Sequence, residues 1–435
     1  MASIAVVGTG YVGLTTGACL AHLGHGVTCV DVDEQKVASL ARGEVPIIED
    51  GLDELVREGL RSGRLTFTTD TGAAVAGAEF VCLCVPSPQR ADGSADLSYV
   101  EVAARAMAPH LEPGAVVINK STVPVGSTLR VAEALGRDDV KVVSNPEFLR
   151  EGHAVHDFLH PDRVVIGADD EQTALRLISL YVGLTAPVIV TDPASAELIK
   201  YAANAFLAVK LSFVNEVAAL AEAMGADMSH VVRGVGSDPR IGSNHFEPGP
   251  GWGGSCLPKD TKALLKMADD AGHTFEVLAA SVRANHAQYE RVVDKLERVL
   301  GGSLEGRTVA AWGLAFKGGT NDLRESPALE VLQRVRRRGA SVQAHDPAIG
   351  PDAPGLGDWV AAGGPGGFEV VADAYEACKD ADALVVLTDW PEFARVDLDQ
   401  VATLLRAPRV VDARNLLDRA ALRRIGFDHE GVGRS

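Results

Sequence analysis

Short, continuous apolar runs alternate with helical patterns over the first part of the chain. Ile4–Val7, Val27–Val30, Phe80–Val85, Ala115–Ile118, Val142–Val143 and Val164–Ile166 are rich in β-branched residues and do not alternate with polar ones. That is the pattern of strands buried on both faces, as in a parallel sheet covered by helices. Beyond about residue 190 the pattern changes. Ala194–Met224 combines good helix formers with apolar residues at helical spacing and has no internal proline or glycine, so it predicts one long helix. From residue 301 the strand-then-helix rhythm returns, with Val309–Gly313, Val342–Asp346, Ala383–Leu387 and Arg409–Asp412 as strands. The glycine- and proline-rich stretch from Pro351 to Gly367 reads as a flexible loop.

The first strand runs directly into Gly8-Thr9-Gly10-Tyr11-Val12-Gly13, and a helical pattern follows. In that context the glycines serve a tight turn and close approach to a pyrophosphate, whose oxygens meet a helix N-terminus. The second strand ends in Asp31, at the spacing of roughly 20 residues where a carboxylate accepts the ribose hydroxyls. A 2′-phosphate would meet like charge there, so NAD is favoured over NADP. The expected fold is therefore α/β, with two Rossmann-like parallel-sheet domains joined by a long central helix. The domains are 1–190 for NAD, 191–300 as a central helical (dimerisation) domain, and 301–435 for a nucleotide-like ligand. In the last, the dinucleotide glycines give way to Gly313–Pro327, which carries Lys317 and Arg324. Arg414 closes a later strand, and these cations suit an anion.

Other candidate groups follow strand ends, where an open parallel sheet places its ligands. Thr122 lies in Ser121–Gly126 and is able to position a water or hydroxyl. Glu147 and Glu151 lie four apart in Asn145–Gly152, so a helical turn would put both carboxylates on one face. On the long helix, Lys200 and Asn204 share a face, a cation and an amide donor suited to an oxygen that becomes negative during reaction. The stretch Gly249–Asp260, GPGWGGSCLPKD, sets glycines before Cys256 and Pro258 in the first turn of a helix expected to run to Ala268. A thiol there gains from the helix dipole and from Lys259, both of which favour the nucleophilic thiolate. The competing reading is that a lone cysteine is a small buried hydrophobe and a helical lysine a solvated one.

Composition narrows the function further. A chain of 435 residues accommodates two or three domains. The net charge of -18 argues against a nucleic-acid partner, because a phosphate backbone would be repelled. Six cysteines without a CxxC pair indicate neither disulfides nor a metal site and fit a reducing cytoplasm. No basic-then-apolar leader and no apolar stretch of membrane-spanning length are read from the sequence, so no membrane partner is expected.

Taken in order, GTGYVG, STVPVGS, NPEFLREG, HPDRVVIG, the Lys200/Asn204 helix, GPGWGGSCLPKD, AFKGGTNDLRESP and VVDARN closely resemble the UDP-glucose 6-dehydrogenase family, within the UDP-glucose/GDP-mannose dehydrogenases. The resemblance covers nearly the whole chain. It implies NAD-dependent, four-electron oxidation of UDP-glucose by a homodimer. Cys256 would be the nucleophile, Asp260 and Thr122 would hold a catalytic water, and Lys200 and Asn204 would stabilise oxyanions. Glu151 would assist proton transfer, and Glu147 would orient Lys200 and the sugar. Implied cofactor contacts are Gly8, Gly10, Tyr11, Val12, Gly13, Asp31, Lys36, Pro86, Thr122, Glu151 and Arg324. Implied sugar-nucleotide contacts are Glu147, Phe148, Leu149, Lys200, Asn204, Trp252, Gly253, Lys317, Arg414 and Arg240, the last reaching into a neighbouring subunit. Ser87, Trp252 and Ala413 depart from the common pattern, which frequently has threonine, tyrosine and glycine there. Two alternatives remain at this stage: the same chemistry on GDP-mannose or a UDP-N-acetylhexosamine, and a binding module without turnover.

Overall fold

The computed structural model describes residues 1–434. The chain divides into two compact units, one of Met1–Ala203 with Lys262–Ala271, the other of residues 204–261 together with those from Gly272 onward.

The first unit is built on an eight-stranded sheet. Its strands are β1 (Ser3–Val7), β2 (Gly26–Val30), β3 (Leu65–Thr68), β4 (Phe80–Leu83), β5 (Val116–Asn119), β6 (Lys141–Ser144), β7 (Val164–Gly167) and β8 (Val188–Thr191). The spatial order is β3-β2-β1-β4-β5-β6-β7-β8, and all neighbours are parallel except β6 and β7. The order reverses between β1 and β4, the position where such sheets bind ligands. β4 and β5 are buried along their whole length, and separate apolar clusters cover the two faces of the sheet. This is why the central strands read as unbroken apolar runs. β8 was not expected: it is an edge strand whose Val188, Ile189 and Val190 are exposed.

The second unit repeats the plan with a six-stranded, all-parallel sheet. Its strands are β9 (Thr308–Trp312), β10 (Ser341–His345), β11 (Phe368–Val370), β12 (Ala383–Val386), β13 (Arg409–Asp412) and β14 (Asp428–Gly431), ordered β11-β10-β9-β12-β13-β14. Here the reversal falls between β9 and β12. The stretch 351–367 is not simply a loop, because it contains the helix Leu356–Ala362. The guanidinium of Arg336 orders its end by donating to the carbonyls of Val360, Gly364 and Gly366.

The long helix spans Pro193–Met224 and runs from the first unit into the second. By length and composition alone it would cross a bilayer, which corrects the expectation that no such stretch exists. Its polar side chains are engaged by the folded protein instead. Glu197 accepts from the amides of Gly126 and Thr128, and Lys200 pairs with Glu147. Ser212 and Asn215 bond the glycine-rich segment before Cys256.

Candidate active site

The turn after β1 shows why its first glycine is needed. Gly8 has φ +95°, and a Cβ there would lie 2.7 Å from the carbonyl oxygen of Cys84. The turn is thus pressed against the end of the neighbouring strand. At Gly10 a Cβ would meet nothing within 4 Å, so the outer side of the turn is open. Gly10 caps the helix Tyr11–His22 with no side-chain hydrogen bond, leaving the helix start to an anion. Asp31 accepts from the Thr9 amide at 2.9 Å, the Thr9 hydroxyl at 2.6 Å and the Lys36 ammonium at 2.9 Å. Burial pushes its pKa up, but these bonds outweigh burial and hold it down at about 2. An ionised carboxylate at the end of β2, beside an open pyrophosphate turn, fits NAD on this unit. The Tyr11 side chain points elsewhere: its hydroxyl bonds Glu49 and the Gly152 amide.

Residues 145–150 are irregular and Glu151 and Gly152 form a turn, so Glu147 and Glu151 do not share a helix face as expected. The Glu147 carboxylate accepts from the Leu149 amide at 2.7 Å, a local bond that competes with helix formation. The same carboxylate meets the Lys200 ammonium at 2.9 Å, both side chains being almost fully buried. Burial raises the Glu147 pKa, but Lys200 and the Leu149 amide lower it further, and it stays ionised. Two cations approach the Phe148 ring, Arg163 at 3.7 Å and Lys200 at 5.4 Å from its centre. Leu149 packs at the margin of the core, and Glu151 is partly exposed. After β4 and β5, Ser87 donates to the Thr122 carbonyl at 2.7 Å and so joins the Pro86–Pro88 loop to the threonine loop. The serine hydroxyl supplies the bond that a threonine there would also make.

In the second unit, Cys256 immediately precedes the helix Leu257–Asp270, and its carbonyl accepts the first helical bond from Asp260 at 2.9 Å. It is the only cysteine among the described residues that is not buried. Burial pushes the thiols of Cys82 up to about 11 and of Cys19 and Cys378 up to about 12, and raises those of Cys29 and Cys84 as well. Asp260, one turn on and fully buried, accepts from the Asn204 amide at 2.6 Å and pairs with Lys259 at 2.9 Å. The approach to Cys256 is held on both sides. The Trp252 amide and carbonyl bond the Asn285 side chain, and Gln288 and Asn215 take the carbonyl and amide of Gly249. A Cβ on Gly253 would collide with the Glu325 carbonyl, so only glycine fits. The Trp252 indole is buried and donates to Ser212, so it serves packing.

After β9, the buried Asp346 takes the amides of Leu314 and Ala315 and the Trp390 indole. The strand-ending aspartate, whose counterpart Asp31 is expected to meet a ribose in the first unit, is here spent on shaping a loop. That loop carries Lys317. Arg414 donates to the carbonyls of Leu387 and Phe316, which brings it beside the loop. Arg324 is held by Asp322, and Arg240 stands largely exposed with Asp238 as its partner. The sequence reading did not reach Glu49, Thr9, Asn285 or Gln288. The last two had a signal, amide side chains three apart among the buried positions of a long helix, while Glu49 had none.

A reversed, mostly parallel sheet with a dinucleotide turn and a second parallel sheet with an anion-suited loop are the architecture of a nucleotide-linked dehydrogenase. The chain belongs to the UDP-glucose/GDP-mannose dehydrogenase family. Its NAD binding domain matches residues 2–185, its central domain residues 194–287 and its UDP binding domain residues 310–419. The UDP-glucose 6-dehydrogenase TuaD of Bacillus subtilis is 45% identical over 440 residues, covering 100% of this chain and 94% of the relative. The structure of a UDP-glucose dehydrogenase from Pyrobaculum islandicum superposes with a TM-score of 0.89 at 40% identity, covering 100% of this chain and 98% of that one. A UDP-D-ManNAc dehydrogenase from Pyrococcus horikoshii superposes at 0.86 with 28% identity, covering 99% of each.

Proposed function

We propose that this protein oxidises UDP-glucose to UDP-glucuronate with NAD, in the cytoplasm, as a homodimer without nucleic-acid or membrane partners. The observation that carries the chemistry is Cys256, a partly exposed residue at a helix start in a chain whose other described cysteines are buried. The relatives named for UDP-glucose favour that sugar over GDP-mannose or an N-acetylhexosamine. Incubating the purified protein with NAD and each sugar nucleotide in turn tests this. UDP-glucose should give NADH, and turnover of GDP-mannose alone would refute the assignment.

NAD supplies the hydride acceptor for both oxidations. On this chain, Gly8, Gly10, Val12, Gly13 and the Tyr11 backbone hold its pyrophosphate and Asp31 with Lys36 its ribose, while Pro86, Thr122, Glu151 and Arg324 line the remainder. Lys317, Arg414, Gly253 and the Phe148–Leu149 segment hold the sugar nucleotide, and Arg240 reaches the partner subunit's substrate. An aldehyde has no hydride to lose from a tetrahedral carbon bearing an electron-rich oxygen. Attack by the Cys256 sulfur creates one, a thiohemiacetal, and its oxidation leaves a thioester. Lys200 and Asn204 stabilise the oxyanion at each stage. Asp260 with Thr122 places the water that hydrolyses the thioester, and Glu151 moves its proton. Because the half-oxidised sugar stays covalently held, one site serves both oxidations.

Two expectations follow for this reading. Asp31→Ser should raise KM for NAD about tenfold or more, since bonds to a charged group contribute roughly 1.5–3 kcal/mol, and should admit NADP; initial rates with both cofactors decide it. Phe206, Phe213 and Leu220 repeat every seven residues along the long helix and are exposed by 66%, 56% and 57%. We assign this stripe, within residues 191–300, to the dimer interface. Phe213→Glu should shift the mass in sedimentation or light scattering to that of a monomer, and an unchanged dimer would place the interface elsewhere.

A further inference from the structure

Glu49 lies between the helices Glu34–Ala41 and Leu52–Arg61, outside every motif that bears on the chemistry. Its carboxylate is buried. One oxygen accepts from the Gly152 amide at 2.7 Å and from the Tyr11 hydroxyl, and the other from the Ala154 amide at 2.6 Å. The Tyr11 hydroxyl accepts in turn from the Gly152 amide at 2.8 Å. A buried carboxylate surrounded by donors is held in one place, because any shift leaves it or a donor unsatisfied at high cost in a low-dielectric interior.

What it holds together gives it a role. Tyr11 is the first residue of the helix that follows the dinucleotide turn, so its backbone stands at the pyrophosphate site while its hydroxyl stands at Glu49. Gly152 directly follows Glu151 and has φ +79°, a backbone geometry that fixes how Glu151 leaves the turn. Displacement at either end is therefore passed to the other both directly, through the Gly152–Tyr11 bond, and through the two bonds to Glu49. We infer that Glu49 is a positioning residue that couples dinucleotide occupancy at the Tyr11 turn to the placement of Glu151. This rests on the proposed dehydrogenase reading. Under it, the cofactor must exchange in mid-reaction, and the coupling makes the Glu151 geometry return each time the turn is filled.

The test compares Glu49→Gln, Tyr11→Phe and the double variant by steady-state kinetics and thermal melting. Glutamine presents an amide donor where the carboxylate received one, and phenylalanine removes the hydroxyl while leaving Glu49 bonded to Gly152. Each should lower kcat and raise KM for NAD, about tenfold for loss of a hydrogen bond to a charged group. KM for UDP-glucose should rise less than KM for NAD, since Lys317, Arg414 and Gly253 belong to the other unit and only the Phe148–Leu149 segment neighbours Glu151. The double variant should cost less than the sum of the two single variants, the signature of residues that share a bond, while exceeding Glu49→Gln by the direct Gly152–Tyr11 bond. A lower melting temperature with unchanged kinetic constants in Tyr11→Phe would overturn the inference, as would additive effects in the pair or an equal rise in both KM values. If Glu49→Gln does not fold, the Tyr11→Phe constants decide alone. Failure of the dehydrogenase reading would look different, because the wild-type protein would then make no NADH from UDP-glucose.

Discussion

Cys256→Ser should release no UDP-glucuronate in steady state, yet it should still produce up to one NADH per site in a first burst. The first oxidation requires no sulfur, whereas the second needs a nucleophile able to add to the aldehyde and later leave. A serine hydroxyl is a far weaker nucleophile near neutral pH, and its ester is a less reactive acyl donor. Removing the nucleophile of a covalent enzyme costs on the order of a thousandfold or more in kcat. The change is conservative in volume at a partly exposed site, so folding should survive. Quenched-flow counting of NADH, with chromatography of the sugar nucleotides, checks both halves. Full steady turnover by this variant would remove Cys256 from the mechanism.

The second large effect is expected for Lys200→Met. Lys200 and Glu147 form a nearly fully buried pair at 2.9 Å, and methionine fills the volume while leaving Glu147 without its cation. Breaking one side of such a pair costs about 3–5 kcal/mol of stability. Loss of an oxyanion donor adds about a hundredfold to a thousandfold in kcat. The pH dependence separates the two effects. In the wild type Glu147 has a folded-state pKa lowered by Lys200 against burial, so the pair's stabilisation is present above the ordinary carboxylate range and is lost as pH falls through the folded pKa. In Lys200→Met burial is opposed only by the Leu149 amide and the Lys120 charge; burial is the largest single effect, so the carboxyl rises relative to the wild type and protonation relieves it. The gap in melting temperature between wild type and variant should therefore narrow toward acid pH. A constant gap would mean that Glu147 is not ionised in the native protein.

Much of this architecture was legible in the chain because central parallel strands are buried on both faces. β1, β2, β4, β5, β9 and β12 consequently read as apolar runs that no turn or surface helix imitates. The edges were not legible for the converse reason: β8 is exposed, β11 has three residues, and β14 is Asp-His-Glu-Gly, held by pairing to β13 rather than by its own composition. Local spacing misled at Glu147 and Glu151, since the helical estimate ignored the carboxylate's bond to the Leu149 amide and the tertiary pull of Lys200. The helix after Cys256 was legible from Pro258, a residue whose fixed φ suits a first turn. Glu49 was not, because nothing local distinguishes a surface glutamate from one that Tyr11 and Gly152 enclose.

The account stands on a sulfur that retains the half-oxidised sugar until a second cofactor arrives. The most direct test is the ratio of NADH formed to UDP-glucose consumed by the wild-type protein, measured with an aldehyde-trapping reagent in solution. Two NADH per sugar, all product as the acid and no trapped aldehyde are expected. One NADH per sugar, with the aldehyde captured by the reagent, would contradict it.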